Sequence, residues 1–263
     1  MKRYLRLYLY FIKFSMSKAM EFRVDFFFRV FMDLIFYFIQ FLFFKIIYLH
    51  TPILGGWNQD QMTLFICSFI FSDAFHMTFF SNNSWWFPLS INRGDLDYYL
   101  VRPASSFFFM AFKEIAANSF LNLIIASVLL VYYLCLTPIA YSAFDLTIFI
   151  ALLINGAFLY FMIYLIFLIP VFWTHSDRGF ADVFYAAEKI SHRPDGIFQG
   201  YFRRFFLNIL PFSIIASYPT RFLIEKNNQL EIISEIIFSS CFIYLIVYLM
   251  WKKGLKGYSS ASS

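Results

Sequence analysis

The chain is predicted to be an all-α integral membrane protein with six membrane-spanning helices, and three observations predict it. Of its 263 residues 61% are hydrophobic and only 14% charged. A soluble domain averages about 25% charged residues, so this chain has too little charge to clothe a water-facing surface. The apolar residues fall in runs close to the ~20 residues a helix needs to cross ~30 Å of hydrocarbon. The basic residues lie between those runs and gather on one side of the membrane. No composition shift divides the chain, so residues 1–263 are read as one transmembrane domain.

Residues 3–23 pattern as an amphipathic interfacial helix. Lys2, Arg6 and Lys13 cluster on one face, and Leu5, Leu9, Ile12, Met16 and Met20 occupy the other. The alternative is that this helix extends the first span. Lys13 and Lys18 interrupt any apolar core, so a cleaved signal is not expected. The first span covers 26–49. Asp25, Arg29 and Asp33 open it at i, i+4 spacing, which lets opposite charges pair along one face. An unpaired Asp at mid-bilayer would cost about 2.5–3.5 kcal/mol, so the ladder either anchors helices or touches a substrate.

Residues 50–60 form a link, broken by Pro52, Gly55 and Gly56, with Trp57 suited to an interface. The second span covers 60–80. Its inner half carries Ser72, Asp73 and His76, which serve either as glue between helices or as the lining of a pathway. Asn82, Asn83, Trp85, Trp86 and Pro88 mark the interface beyond it. The third span runs over 106–134, with Asn118 and Asn122 at i, i+4 as interhelical hydrogen bonders. A short link leads to the fourth span, 146–170. The polar segment 173–200 follows, with an amphipathic helix expected over about 179–190. The fifth span, 201–217, is interrupted by Pro211 and followed by Tyr218-Pro219. A polar excursion over 221–231 precedes the sixth span, 232–251.

With the N-terminus inside, 18 of the 21 lysines and arginines fall on the cytoplasmic side; Lys45, Arg221 and Lys226 are the exceptions. Both termini are therefore expected in the cytoplasm, in a multi-pass protein of the cytoplasmic membrane. A net charge of +5 follows from attraction to inner-leaflet lipids and needs no nucleic-acid partner.

The most charged short island between apolar runs is 91–103. Gly94 can start a turn, Asp95 and Asp97 suit the first turn of a short helix, and Arg102 suits its last. Pro103 ends it. Leu96, Tyr99 and Leu100 share one face. Such a helix either rests on the lipid surface or plugs into a partner protein.

Several chemistries are missing. The chain has no G-x-x-x-x-G-K-[ST] phosphate loop, no H-E-x-x-H pair and no G-x-S-x-G elbow. Cys67, Cys135 and Cys241 show no metal-ligand or paired spacing. No enzyme and no metal or cofactor site of its own is expected. Three classes of function remain: an ATP-independent secondary transporter or channel, a membrane scaffold, and the membrane half of a machine whose energy source is a separate subunit.

The stretch Gly94-Asp95-Leu96-Asp97-x-x-Leu100-x-Arg102-Pro103 resembles the G-[DE]-L-D-x-x-L-x-[RK]-P stretch of one group of ABC-2-type transporter permeases. Trp57, Pro194-x-x-Ile197-Phe198, Arg203, Ile209-Leu210-Pro211 and Tyr218-Pro219 are similar in order. So is the tail Trp251-x-x-Gly254-Leu255-x-x-Tyr258-Ser259-Ser260; Ala261-Ser262-Ser263 departs where glycine is expected. The resemblance covers nearly the whole chain.

It implies an ABC-2-type permease fold in which six helices form half of an export pathway, completed by a second permease subunit, identical or different. ATP and Mg would be bound by a separate ATP-binding-cassette ATPase subunit. Residues 91–103 would be the coupling helix seated in that ATPase, through Asp95, Leu96, Asp97, Tyr99, Leu100 and Arg102. The N-terminal helix would be a connecting helix, and the excursion after the fifth span an external or re-entrant element.

Overall fold

The computed structural model describes residues 2–19, 23–137, 139–176, 178–198, 200 and 210–258. These residues form a helical bundle around one long rod. Helix α3 (Gln59–His76), a π-helical turn (Met77–Ser81) and α4 (Asn82–Asn92) follow one another without a break. Their 34 residues span roughly 50 Å at 1.5 Å per residue. The second apolar run, read to stop at residue 80, therefore continues to Asn92. The polar residues beyond 80 did not mark the helix end, because Asn83 and Ser84 are buried and hydrogen-bonded within the bundle. The rod starts on a reciprocal cap: the Asn58 side chain accepts the Gln61 N–H, and the Gln61 side chain accepts the Asn58 N–H.

Helices α1 (Lys2–Ala19) and α2 (Arg23–Tyr48) precede the rod. Helix α2 runs antiparallel to α3 through the 49–58 link, where Gly55 and Gly56 take positive φ angles. Helix α1 does not simply prolong α2. It lies along a later segment, with Tyr4 against Phe108, Tyr8 against Phe112 and Phe11 against Phe109. Its bundle-facing side is thus an aromatic stripe, while Leu5, Leu9 and Phe14 are exposed. Residues 20–22 lie outside the described residues.

After α4 come α5 (Asp97–Leu100), α6 (Ser106–Phe112) and α7 (Ser119–Leu136). The apolar run over 106–134 is therefore not one helix. Residues 113–118 are unwound, and their backbone groups are answered from elsewhere in the chain. Asn83 accepts the Glu114 N–H and donates to the Glu114 carbonyl, both at 2.8 Å. The Ile115 N–H donates to Ser15 Oγ of α1, and the Ala116 N–H to the Thr78 carbonyl in the π turn. Non-helical backbone is tolerated at membrane depth only where protein supplies such partners.

Helix α8 (Ala143–Leu168) also opens on a reciprocal cap, between Ser142 and Asp145, and a short α9 (Val171–Thr174) continues it. The last long helix, labelled α12 (Gln229–Gly257), runs parallel to α8. Asn155 of α8 bonds Ser240 and Tyr244, and farther along Phe172 meets Trp251 edge to face and lies against Gly254. The chain must therefore return along the bundle between these two helices.

The return is made by α10 (Arg178–Glu188) and the residues after it. Phe184 packs on Tyr160, Tyr164 and Phe167 of α8. His192 lies between Phe36 and Phe69, halfway along α2. Gly196 meets Gly55 in the link beyond the far end of α2. Arg193, assigned above to the cytoplasmic side, thus stands past mid-bundle.

Of the fifth run over 201–217, residues 201–209 lie outside the described residues. Residues 210–216 form a bend and a 3-10 turn, and α11 (Ser217–Ile224) follows. Among the described residues, five helical stretches are long and apolar enough to cross a membrane: Val24–Tyr48, Gln59–Asn92, Ser119–Leu136, Ala143–Thr174 and Lys226–Gly257.

The turn over 212–216 touches α8 backbone to side-chain position: a Cβ on Gly156 would stand 2.5 Å from the Ile215 carbonyl oxygen. Gly156→Ala is therefore expected to lower stability by about 1–3 kcal/mol, as overpacking does. Gly179→Ala, with open space around the new methyl, is expected to be neutral. Thermal unfolding of the purified variants in detergent checks both.

Candidate functional site

Two places gather the candidate residues: the 91–103 stretch at one end of the rod, and a polar cluster inside the bundle.

The stretch is a turn and a single helical turn rather than a helix over its whole length. Gly94 has φ +79° and closes the end of α4, its N–H on the Ile91 carbonyl. Asp95 lies ahead of α5 and Asp97 begins it. The shared face read from the sequence is divided by the fold. Leu96 is 0% exposed and belongs to the main apolar core. Tyr99 stacks on Phe109 of α6, ring centroids 5.2 Å apart. Leu100 faces out, and so do Tyr98 and Val101, the latter 84% exposed. Arg102 rests over the Phe109 and Tyr99 rings at 5.5 and 5.9 Å, and Lys113 approaches Tyr99 at 5.5 Å.

Asp97 looks toward the end of α12. Burial first, and then the neighbouring Asp97 and Asp95 carboxylates, push the Tyr258 phenol above its ordinary value. Phe172, Trp251 and Tyr258 pack together beneath this contact. The tip of the stretch is thus an exposed apolar patch of Tyr98, Leu100 and Val101, set on a base fixed by Leu96, Tyr99 and Asp97. Tyr98 and Val101 were not singled out by sequence. Their i, i+3 spacing was the available signal, but which face of a one-turn helix points outward depends on what packs beneath it.

The interior cluster joins helices that are distant in sequence. Asn122 of α7 donates to Asp33 of α2, and Arg29 pairs with Asp25 at 2.8 Å one turn earlier. Asp73 has Glu188 and Asp33 as electrostatic neighbours. The His76 ring lies 4.1 Å from the Tyr160 ring, and Tyr160 interacts with Glu188. His192 stands 3.6 Å from Glu188. The sequence places Glu188 and His192 in the polar segment after the fourth span; the return path carries them into the bundle. Asn118 does not join the cluster. It precedes the first residue of α7 and donates to the adjacent Ser119 hydroxyl, because the break at 113–118 removes it from the helix. Ser72 donates to the Ile215 and Leu153 carbonyls, tying the rod to the turn and to α8.

A third group neutralises a buried acid. Asp195 is 1% exposed; it accepts from Ser217 at 2.6 Å and from Arg221 at 3.2 Å, and Arg221 also pairs with Glu225. Among the described residues no group of three His, Cys, Asp or Glu side chains is placed to hold a metal ion.

Compared with family models, residues 34–262 match the one described as ABC-2 family transporter protein. No curated protein and no solved structure matches the chain.

Leu96→Ala is expected to cost about 2–5 kcal/mol of stability, as truncation of a fully buried leucine does. Leu100→Ala should stay within about 0.5 kcal/mol, as at other exposed positions. Thermal melts of the two purified variants separate the base of the stretch from its tip.

Proposed function

Because the chain belongs to the ABC-2 family of transporter proteins, and is thereby a multi-pass permease component of an ABC transporter, we propose that it is half of an exporter driven by a separate ATP-binding subunit. In this reading the chain crosses the membrane six times: by the five long helices and by the broken return over 178–197. Both termini and the 91–103 stretch face the cytoplasm. ATP and Mg are bound by the ATPase subunit, and a second permease, identical or different, completes the pathway.

The observation that carries the reading is the apolar tip of Tyr98, Leu100 and Val101, exposed at the end of the central rod. An apolar patch followed directly by Arg102 has the composition of a docking surface. Its base is joined to α4, to α6 and, through Tyr258, to α12. A push on the tip would therefore reach three helices together. Arg102, held over two aromatic rings, orients the contact, while Leu96 and Asp97 transmit it from within the fold. Asp73 and His76 face other helices of the same chain, so we assign them to helix association.

Replacing Leu100 and Val101 together by alanine should lower transport-linked ATP hydrolysis of the reconstituted complex about tenfold or more, the range of lost anchor contacts at an interface, with the melting transition unchanged. Unaltered coupled hydrolysis in that double variant would overturn the assignment of the tip.

A further inference from the structure

By sequence, three basic residues fall outside the group assigned to the cytoplasmic side, and two are accounted for. Arg221 neutralises Asp195 and Glu225, and Lys226 is an electrostatic neighbour of Asp145. Lys45 is not: it is exposed in the last turn of α2 and makes no ion pair among the described residues. A cation there suits the helix dipole, but that leaves its ammonium group unoccupied.

Lys45 borders a crevice of about 440 Å³ between α2, α3 and α7, on the outer surface of the bundle. The walls change character along its length. Toward the 49–58 link they carry Lys45, Tyr48, Gln59 and Thr63; toward mid-bundle they are Phe38, Phe41 and Leu129. Two of the polar groups are already engaged: Tyr48 donates to the Trp57 carbonyl and Thr63 to the Gln59 carbonyl, each at 2.8 Å. Lys45 therefore supplies the cation at the polar end of a channel whose other end is apolar. Tyr48 and Trp57 at the same level are residues that favour the headgroup zone.

We propose that this crevice is a binding site for one anionic phospholipid from the leaflet opposite the 91–103 stretch. The phosphate sits on the Lys45 ammonium, and an acyl chain runs along Phe38, Phe41 and Leu129. A wall that is cationic at one end and apolar along the rest fits an amphiphile with a negative head. A zwitterionic lipid would bring its own cation beside Lys45 and gain less. The site depends on membrane residence and not on the direction of transport.

The test is lipid retention. The full chain with its partner subunits is placed in nanodiscs of phosphatidylglycerol and phosphatidylcholine in equal parts, extracted, and its retained lipid counted by native mass spectrometry. The wild type should keep phosphatidylglycerol in excess. Lys45→Gln should lower that retention about fivefold, the effect of one cation near an anionic headgroup, and Lys45→Arg should restore it. Leu129→Trp, which fills the channel without touching the charge, should expel the same lipid. Equal retention by the wild type and Lys45→Gln, or equal retention of both lipids by the wild type, would overturn the site. So would protection of the crevice by a second copy of the chain with no lipid bound.

Discussion

Within the bundle, backbone groups that leave a helix must find partners without water, and the rod α3–α4 supplies them. An unpaired buried amide or carbonyl costs about 1–3 kcal/mol, so a break inside a membrane domain persists only where it is answered. Asn83 clamps both backbone groups of Glu114, and the π turn presents the Thr78 carbonyl to Ala116. Ser72 reaches the Ile215 carbonyl from the same rod. The two irregular segments, 113–118 and 210–216, thus hang on three neighbouring turns of one helix. That arrangement lets α6 be offset from α7 and brings α11 back toward the outside of the bundle.

Charge obeys the same rule. Buried and half-buried carboxylates persist where donors meet them. Asp33 has Asn122, and Asp195 has Ser217 and Arg221. These contacts link α2 to α7 and the return segment to α11, so each acid also fixes a helix pair. Arg221 departs from the positive-inside pattern because a buried acid holds it; Lys45 departs from it with no such partner among the described residues.

Two stretches that resemblance picks out separately, the Gly-Asp-Leu-Asp turn and the C-terminal tail, meet in space. Tyr258 approaches Asp97 while Trp251 and Phe172 pack below. This junction makes the turn a rigid tip rather than a flexible loop. It also explains why Leu96 and Asp97 belong to the base and not to the exposed surface.

The sequence by itself determined the membrane class, because too few charges exist to face water. It also determined the family, since Gly94–Pro103 is a local signature. Tertiary structure alone decided where helices break, how the chain returns between α8 and α12, and which side of the 96–101 turn faces outward. The reason is range. Apolar runs over 106–134 look continuous because hydropathy records average solvent, whereas the break depends on Asn83 and Ser15, 31 and 100 residues away. Glu188 and His192 look solvent-exposed for the same reason: their partners, Asp73, Tyr160, Phe36 and Phe69, lie on helices that only the fold brings beside them.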